Sequence, residues 1–202
     1  MSIVLVGSTS GSITLQEPAV AGTTVLTLPA VTGTILTTTS PKAGNVLQVV
    51  STTKTDTTSF TSTNTNTYVD ITGMSVTITP TSATSKIFVM YIVGVSNDAT
   101  ATIHVRLYRG ATSIGQGNAS GNRLGDSLIW RPNANQYNFD IGPLSSSFLD
   151  SPNTTSATTY KLAATLGSSY SGTFYLNRSY VDTDADYSGR TASTITVMEI
   201  AA

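Results

Sequence analysis

Apolar and polar residues alternate along most of this chain with a period of two, which places successive side chains on opposite faces of a β-strand. The clearest stretch is 148–200. Within it Tyr160–Leu166 puts Tyr160, Leu162, Ala164 and Leu166 on one face, Thr173–Asn177 carries Phe174, Tyr175 and Leu176, and Thr194–Ile200 forms a third strand. The connectors SPNTTSATT and DTDADYSGRTAS are rich in Ser, Thr, Asp, Asn and Gly, as turns are. Upstream, Val46–Val50, Tyr68–Ile71, Ser75–Thr79, Lys86–Val95 and Thr102–Tyr108 read as strands, with Pro80 where a strand should stop. The tract STTKTDTTSFTSTNTNT is too poor in apolar residues to pack and predicts an exposed, loosely paired loop. Residues 111–143 lack periodicity and predict a long loop carrying Trp130, Arg131, Tyr137 and Phe139, with strands resuming at Leu144. The fold class this predicts is all-β, an antiparallel β-sandwich.

Lys86–Val95 departs from the half-polar pattern. Ile87, Val89, Tyr91, Val93 and Val95 make one face, and Phe88, Met90 and Ile92 make the other. Thr102–Tyr108 is conventional, with Ile103, Val105 and Leu107 inward and His104, Arg106 and Tyr108 outward. A strand apolar on both sides implies a second buried surface, and an interface between identical subunits through Phe88, Met90 and Ile92 supplies one.

Residues 1–45 follow a different rule. ITLQEPAVAGT is echoed by LTLPAVTGT, so that Pro-Ala-Val-x-Gly recurs at Pro18–Gly22 and Pro29–Gly33. This is an 11-residue step of short strand, proline corner and glycine turn. Two such units are too few to bury a core alone, so the pattern predicts an intertwined module completed by other subunits. Leu15, Pro18, Val20, Leu28, Pro29 and Val31 are its candidate docking contacts, and SPKAGN at 40–45 is read as the linker to a head domain spanning 46–202.

Composition narrows the function. Charged residues are 10% of the 202, against about 25% in ordinary soluble domains, and the formal net charge is −1. Nothing here attracts a polyphosphate backbone, so nucleic acid is not an expected partner. So few charges leave solubility to be secured by assembly. There is no cysteine, which excludes disulfides and thiolate metal sites. The start, MSIVLVGSTSGS, lacks a basic segment ahead of its four apolar residues, and no apolar run approaches a membrane span. A product made in a cytoplasm, without membrane insertion, is expected.

GSITLQEPAVAGTTVLTLPAVTGTI resembles the N-terminal module of tail-fibre and virion proteins of tailed bacteriophages, notably marine and cyanobacterial phages. YVDITGMSVTITPTSATSKIFV, FLDSPNTTSATTYKL, LNRS and GRTASTITVMEI resemble their C-terminal head. The resemblance implies a homotrimeric jelly roll of the tumour-necrosis-factor or complement type, held in a virion assembled in the bacterial host cytoplasm. It further implies contact with other virion proteins, of tail or capsid, and with a host surface glycan or protein. A capsid-decorating protein that stabilises the head is the alternative, and a glycan-degrading tailspike a more distant one. The 118–140 segment has no counterpart in the resemblance.

Candidate chemistry is sparse. His104, the sole histidine, has no acid or nucleophile near it in sequence and reads as a polar interface or solvated residue rather than part of a Ser-His-Asp site. Asp182, Asp184 and Asp186 have the D-x-D-x-D opening of a calcium loop, but Tyr187 stands where glycine belongs and the closing Glu is missing. Asp126, Asp140 and Asp150 are the loop carboxylates available for glycan cleavage, and all are ordinary turn residues. Trp130, Arg131, Tyr137, Tyr180 and Tyr187 are the candidate receptor contacts, with aromatic faces to stack on sugar rings; the opposing reading buries Trp130 and Phe139 under the loop. Asn118, Asn153 and Asn177 begin glycosylation triplets, relevant only in a secretory pathway. No catalytic residue, cofactor or enzymatic activity is predicted.

Overall fold

The computed structural model describes residues 2–6, 12–16, 42–63, 66–98, 101–132, 138–167 and 171–202. The chain divides into two compact units, Met1–Leu36 and Thr37–Ala202. In the first, β1 (Ser2–Val6) and β2 (Ser12–Gln16) form an antiparallel pair with Ile3 opposite Leu15. The other expected docking contacts, Pro18, Val20, Leu28, Pro29 and Val31, lie outside the described residues.

The second unit is a sandwich of two antiparallel sheets. The larger contains β3 (Val46–Lys54), β4 (Thr58–Thr63), β6 (Lys86–Asn97), β10 (Gly142–Asp150), β12 (Ser171–Leu176) and β13 (Ser193–Ile200). It runs in the order β3-β13-β6-β12-β4, with β10 also paired to β6. The smaller runs β5 (Val69–Ile78), β11 (Thr158–Leu166), β7 (Ile103–Arg109) and β8 (Thr112–Ile114), with β9 (Leu128–Trp130) also paired to β7. From β4 to β7, and again from β10 to β12, consecutive strands fall in opposite sheets, the crossing habit of a jelly roll.

The core lies where the inner faces meet. Ile87, Val89, Tyr91, Val93 and Val95 from β6 and Ile195 and Val197 from β13 face Ile103, Val105 and Leu107 from β7 and Tyr160, Leu162, Ala164 and Leu166 from β11. Burying each of the larger aliphatic side chains contributes about 1.5–3 kcal/mol. The period-two reading of these strands therefore holds.

Three expectations fail for identifiable reasons. The Thr-rich tract is no loose loop: β3 continues to Lys54, and β4 pairs with β12 from Thr58↔Leu176 to Thr63↔Ser171. One aromatic is sufficient there, because Phe60 stacks on Phe174 at 4.8 Å and buried Ser62 accepts from the Leu166 N–H at 3.1 Å. Tyr68–Ile71 and Ser75–Thr79 are one strand, not two. A register shift opposite Lys161–Ala163 and a glycine at φ 84°, Gly73, absorb the irregularity that looked like a break. Finally, 111–143 is not one long loop, because β7 pairs with β8 and β9 within it and β10 begins at Gly142; at the start of this unit Gly44 N donates to Ala201 O at 2.8 Å and Ala201 N to Asn45 O at 2.9 Å.

Candidate functional site

The outward face of the larger sheet is the first surface of note. Cross-strand register aligns Val49, Met198, Phe88 and Leu149 in one row over four adjacent strands. The next row is Ser51, Thr196, Met90 and Ser147, and the one after is Thr53, Thr194, Ile92 and Ser145. Phe88 is half-buried, whereas Met90 is 41% and Ile92 51% exposed, with Val49 and Leu149 more exposed still. Two pairs of hydroxyls between them are joined, Ser51···Thr196 at 2.8 Å and Thr53···Thr194 at 3.1 Å. These three rows carry no charge, and Lys86 at the end of β6 turns its ammonium to Ser151 at 2.8 Å. An uncharged, largely apolar face with part of its hydroxyls already paired is suited to burial.

The second surface is built from the loops 138–141 and 178–191, joined by Val181 N donating to Asn138 O at 2.8 Å. Phe139 and Tyr187 meet edge to face at 5.0 Å, and both are exposed. Tyr180 tilts against Tyr175, over whose ring the Arg178 guanidinium lies at 4.6 Å. Beside them an open cleft of about 350 Å³ is lined by Asp182, Thr183, Asp184, Ala185, Ser188 and Arg190. Of the expected receptor contacts, Tyr180 and Tyr187 thus share one loop. Arg131 is exposed immediately after β9, and Tyr137 lies outside the described residues. Trp130 belongs elsewhere. It sits on β9 opposite Ile103, packs on the core, and leaves no room for a side chain at Gly142, where a Cβ would fall 2.4 Å from the indole.

The acidic turn is not arranged for calcium. Asp182 receives both nitrogens of the Arg190 fork at 2.6–3.0 Å, with Arg178 a further 3.4 Å away. Among the described residues no three acidic or imidazole side chains gather as a metal would need.

His104 is not the solvated residue that one reading expects. Its Nδ1 lies 2.7 Å from Asp126 Oδ2, and the imidazole is only 14% exposed. A carboxylate can only accept, so Nδ1 carries the proton. Tyr68 donates its hydroxyl to the same carboxylate, Arg106 Nε lies 3.3 Å from it, and the Arg106 guanidinium covers the Tyr68 ring at 3.9 Å. Burial would raise the Asp126 pKa, but the bonds from His104 and Tyr68 and the nearby positive charges outweigh it and hold the carboxyl below its ordinary value. Among the described residues no hydroxyl is bonded to His104 Nε2. Asp150 is equally committed: Arg109 Nη1 donates to both its oxygens at 2.9 Å and the Tyr160 hydroxyl donates at 2.7 Å. Burial and that bond push the Tyr160 hydroxyl far above its usual pKa. Asp126 and Asp150 are fixed structural anions rather than a pair flanking a substrate.

No protein-family model matches the sequence, and no curated protein matches it. Similar solved structures come from infectious bursal disease virus. The Gx strain structure has 13% identity and a TM-score of 0.37, over 98% of this chain and 45% of that one. The Gt strain structure has 15% identity and a TM-score of 0.36, over 98% and 46%. A VP2 subviral particle has 15% identity and a TM-score of 0.35, over 76% and 38%. The chain spans less than half the length of each.

Proposed function

We propose that this protein is a virion structural protein, a surface appendage of the tail-fibre type that attaches a bacteriophage to its host by multivalent binding without turnover. The observation that carries the reading is the row Val49–Met198–Phe88–Leu149 on the outward face of the larger sheet, with Met90 and Ile92 standing beyond it. An isolated sandwich gains nothing from that row in water. Sister copies packed through it, in a homotrimer, remove it from solvent, and a neutral face of this kind accepts a copy of itself without any charge to match.

In this reading the 1–45 segment docks the assembly on other virion proteins of the tail through Leu15, Pro18, Val20, Leu28, Pro29 and Val31. The 138–141 and 178–191 loops meet the host surface, with Phe139, Tyr180 and Tyr187 as the aromatic contacts. Threefold presentation turns weak single contacts into strong attachment. Sedimentation at micromolar concentration tests the assembly, and a folded monomer overturns it. Inhibition of phage adsorption by the isolated protein tests the role; binding to emptied heads instead assigns it to capsid decoration.

A further inference from the structure

Between β8 and β9 the chain makes an excursion, 115–127, whose tip projects from the smaller sheet. The excursion closes at its own neck: Gly117 N donates to Asp126 O at 3.1 Å, and Gly125 lies so near Gly117 that a Cβ on it would be 2.3 Å from the Gly117 carbonyl. Its tip is held by the reciprocal Ser120–Arg123 pair at 3.1 Å. Residues 116–123 are exposed, and among the described residues their hydrogen bonds run only within the excursion. Leu124 is its one large apolar side chain, and it is only half-buried.

What fastens this excursion to the body is polar. Asp126, with its side chain 3% exposed, takes Tyr68, His104 and Arg106, and Arg106 Nε also donates to Gly125 O at 2.8 Å. Ser127 adds a backbone bond to Val105 O and an Oγ contact to Leu107 N, both at 3.0 Å. Three groups from two other segments thus converge on one carboxylate, where an apolar staple would hold at any pH. The remaining charges on that sheet face, Lys161 and Asp70, are paired with each other at 2.6 Å, and Arg123 is exposed at the tip.

We propose that Asp126 with Tyr68, His104 and Arg106 forms a protonation-dependent latch, which holds the 115–127 excursion against the smaller sheet and releases it in acid without unfolding the sandwich. A protonated Asp126 keeps one acceptor oxygen but turns donor at the other, and the charge-assisted bonds from His104 and Arg106 are lost. The excursion has little apolar contact to retain it once those bonds fail, whereas the sheet beneath it keeps its core. Release uncovers His104 and Arg106.

Hydrogen exchange followed by mass spectrometry on the intact protein, corrected for intrinsic rates, tests this at pH 6 and pH 3. Peptides covering 115–127 should lose protection at pH 3 while those from β6 and β13 keep theirs. The variant Asp126→Asn provides a second measure at neutral pH: tryptic cleavage after Arg123 should accelerate about tenfold or more, the scale of one lost charge-assisted hydrogen bond. Protection of 115–127 unchanged at pH 3, or lost together with that of β6 and β13, overturns the proposal. So does an unchanged cleavage rate in the folded variant.

Discussion

Ser193 donates its hydroxyl to the side-chain carbonyl of Asn177 at 2.6 Å, across a buried junction between the end of β12 and the start of β13. The amide of the same side chain donates to Lys54 O at 2.8 Å and Asp56 O at 3.0 Å, and the Asn177 N–H donates to Gly94 O at 2.8 Å. Asn177 is fully buried at φ 61°, a conformation that asparagine tolerates better than other branched or bulky residues. One side chain therefore ties the end of β3 to β13 while its backbone turns the chain.

Replacing Asn177 by Ala removes these side-chain bonds, strands two carbonyls and keeps the unfavourable φ. We expect a loss of about 2–4 kcal/mol, with Asn177→Gly relieving the backbone part only. Urea titration of both variants measures it.

Gly142→Ala places a methyl group against the indole of Trp130. Overpacking of this kind costs about 1–3 kcal/mol. Trp130 is the sole tryptophan, so its emission reports the site directly. A red shift should accompany the lowered melting temperature, whereas Gly44→Ala, at a glycine with open space around it, should leave the emission unchanged.

Glu199 accepts from Gln48 Nε2 at 2.6 Å and from Thr81 N and Oγ1 at 2.8 and 2.7 Å. Burial opposes its ionisation, but the bonds from Gln48 and Thr81 prevail and lower its pKa below the ordinary 4.5. Its folded pKa is thus depressed, so its contribution is complete above about pH 4.5 and is lost as pH falls through the lower folded value. Melting temperatures between pH 6 and pH 3 should fall more steeply for the native protein than for Glu199→Gln, which lacks the titrating group.

Charging the outward face separates assembly from folding. Met90→Asp with Ile92→Asp should convert the assembly to a monomer in sedimentation, each substitution weakening association by about 1–3 kcal/mol. Both side chains stand outside the core, so the far-ultraviolet spectrum should not change.

Tyr187→Ala with Phe139→Ala removes an exposed ring pair that supports no core residue. Adsorption inhibition should be lost with the melting temperature unchanged. Retained inhibition moves the host contact off these loops.

The alternation of side chains by itself determined most of the core strands and their inner faces, because period two is a local property written residue by residue. It also marked β6 as apolar on both sides, since Phe88, Met90 and Ile92 occupy the positions between the core residues. Tertiary structure alone decided which strands lie together, and with that which polar groups meet. Asp126 reaches His104 over 22 residues, Asn177 reaches Lys54 over 123, and Trp130 finds Gly142 on a neighbouring strand. The Thr-rich β4 was invisible to alternation because one phenylalanine and a partner strand suffice to hold it. Its pairing energy resides in backbone hydrogen bonds that every sequence can make, and only the position of β12 brings the partner to it.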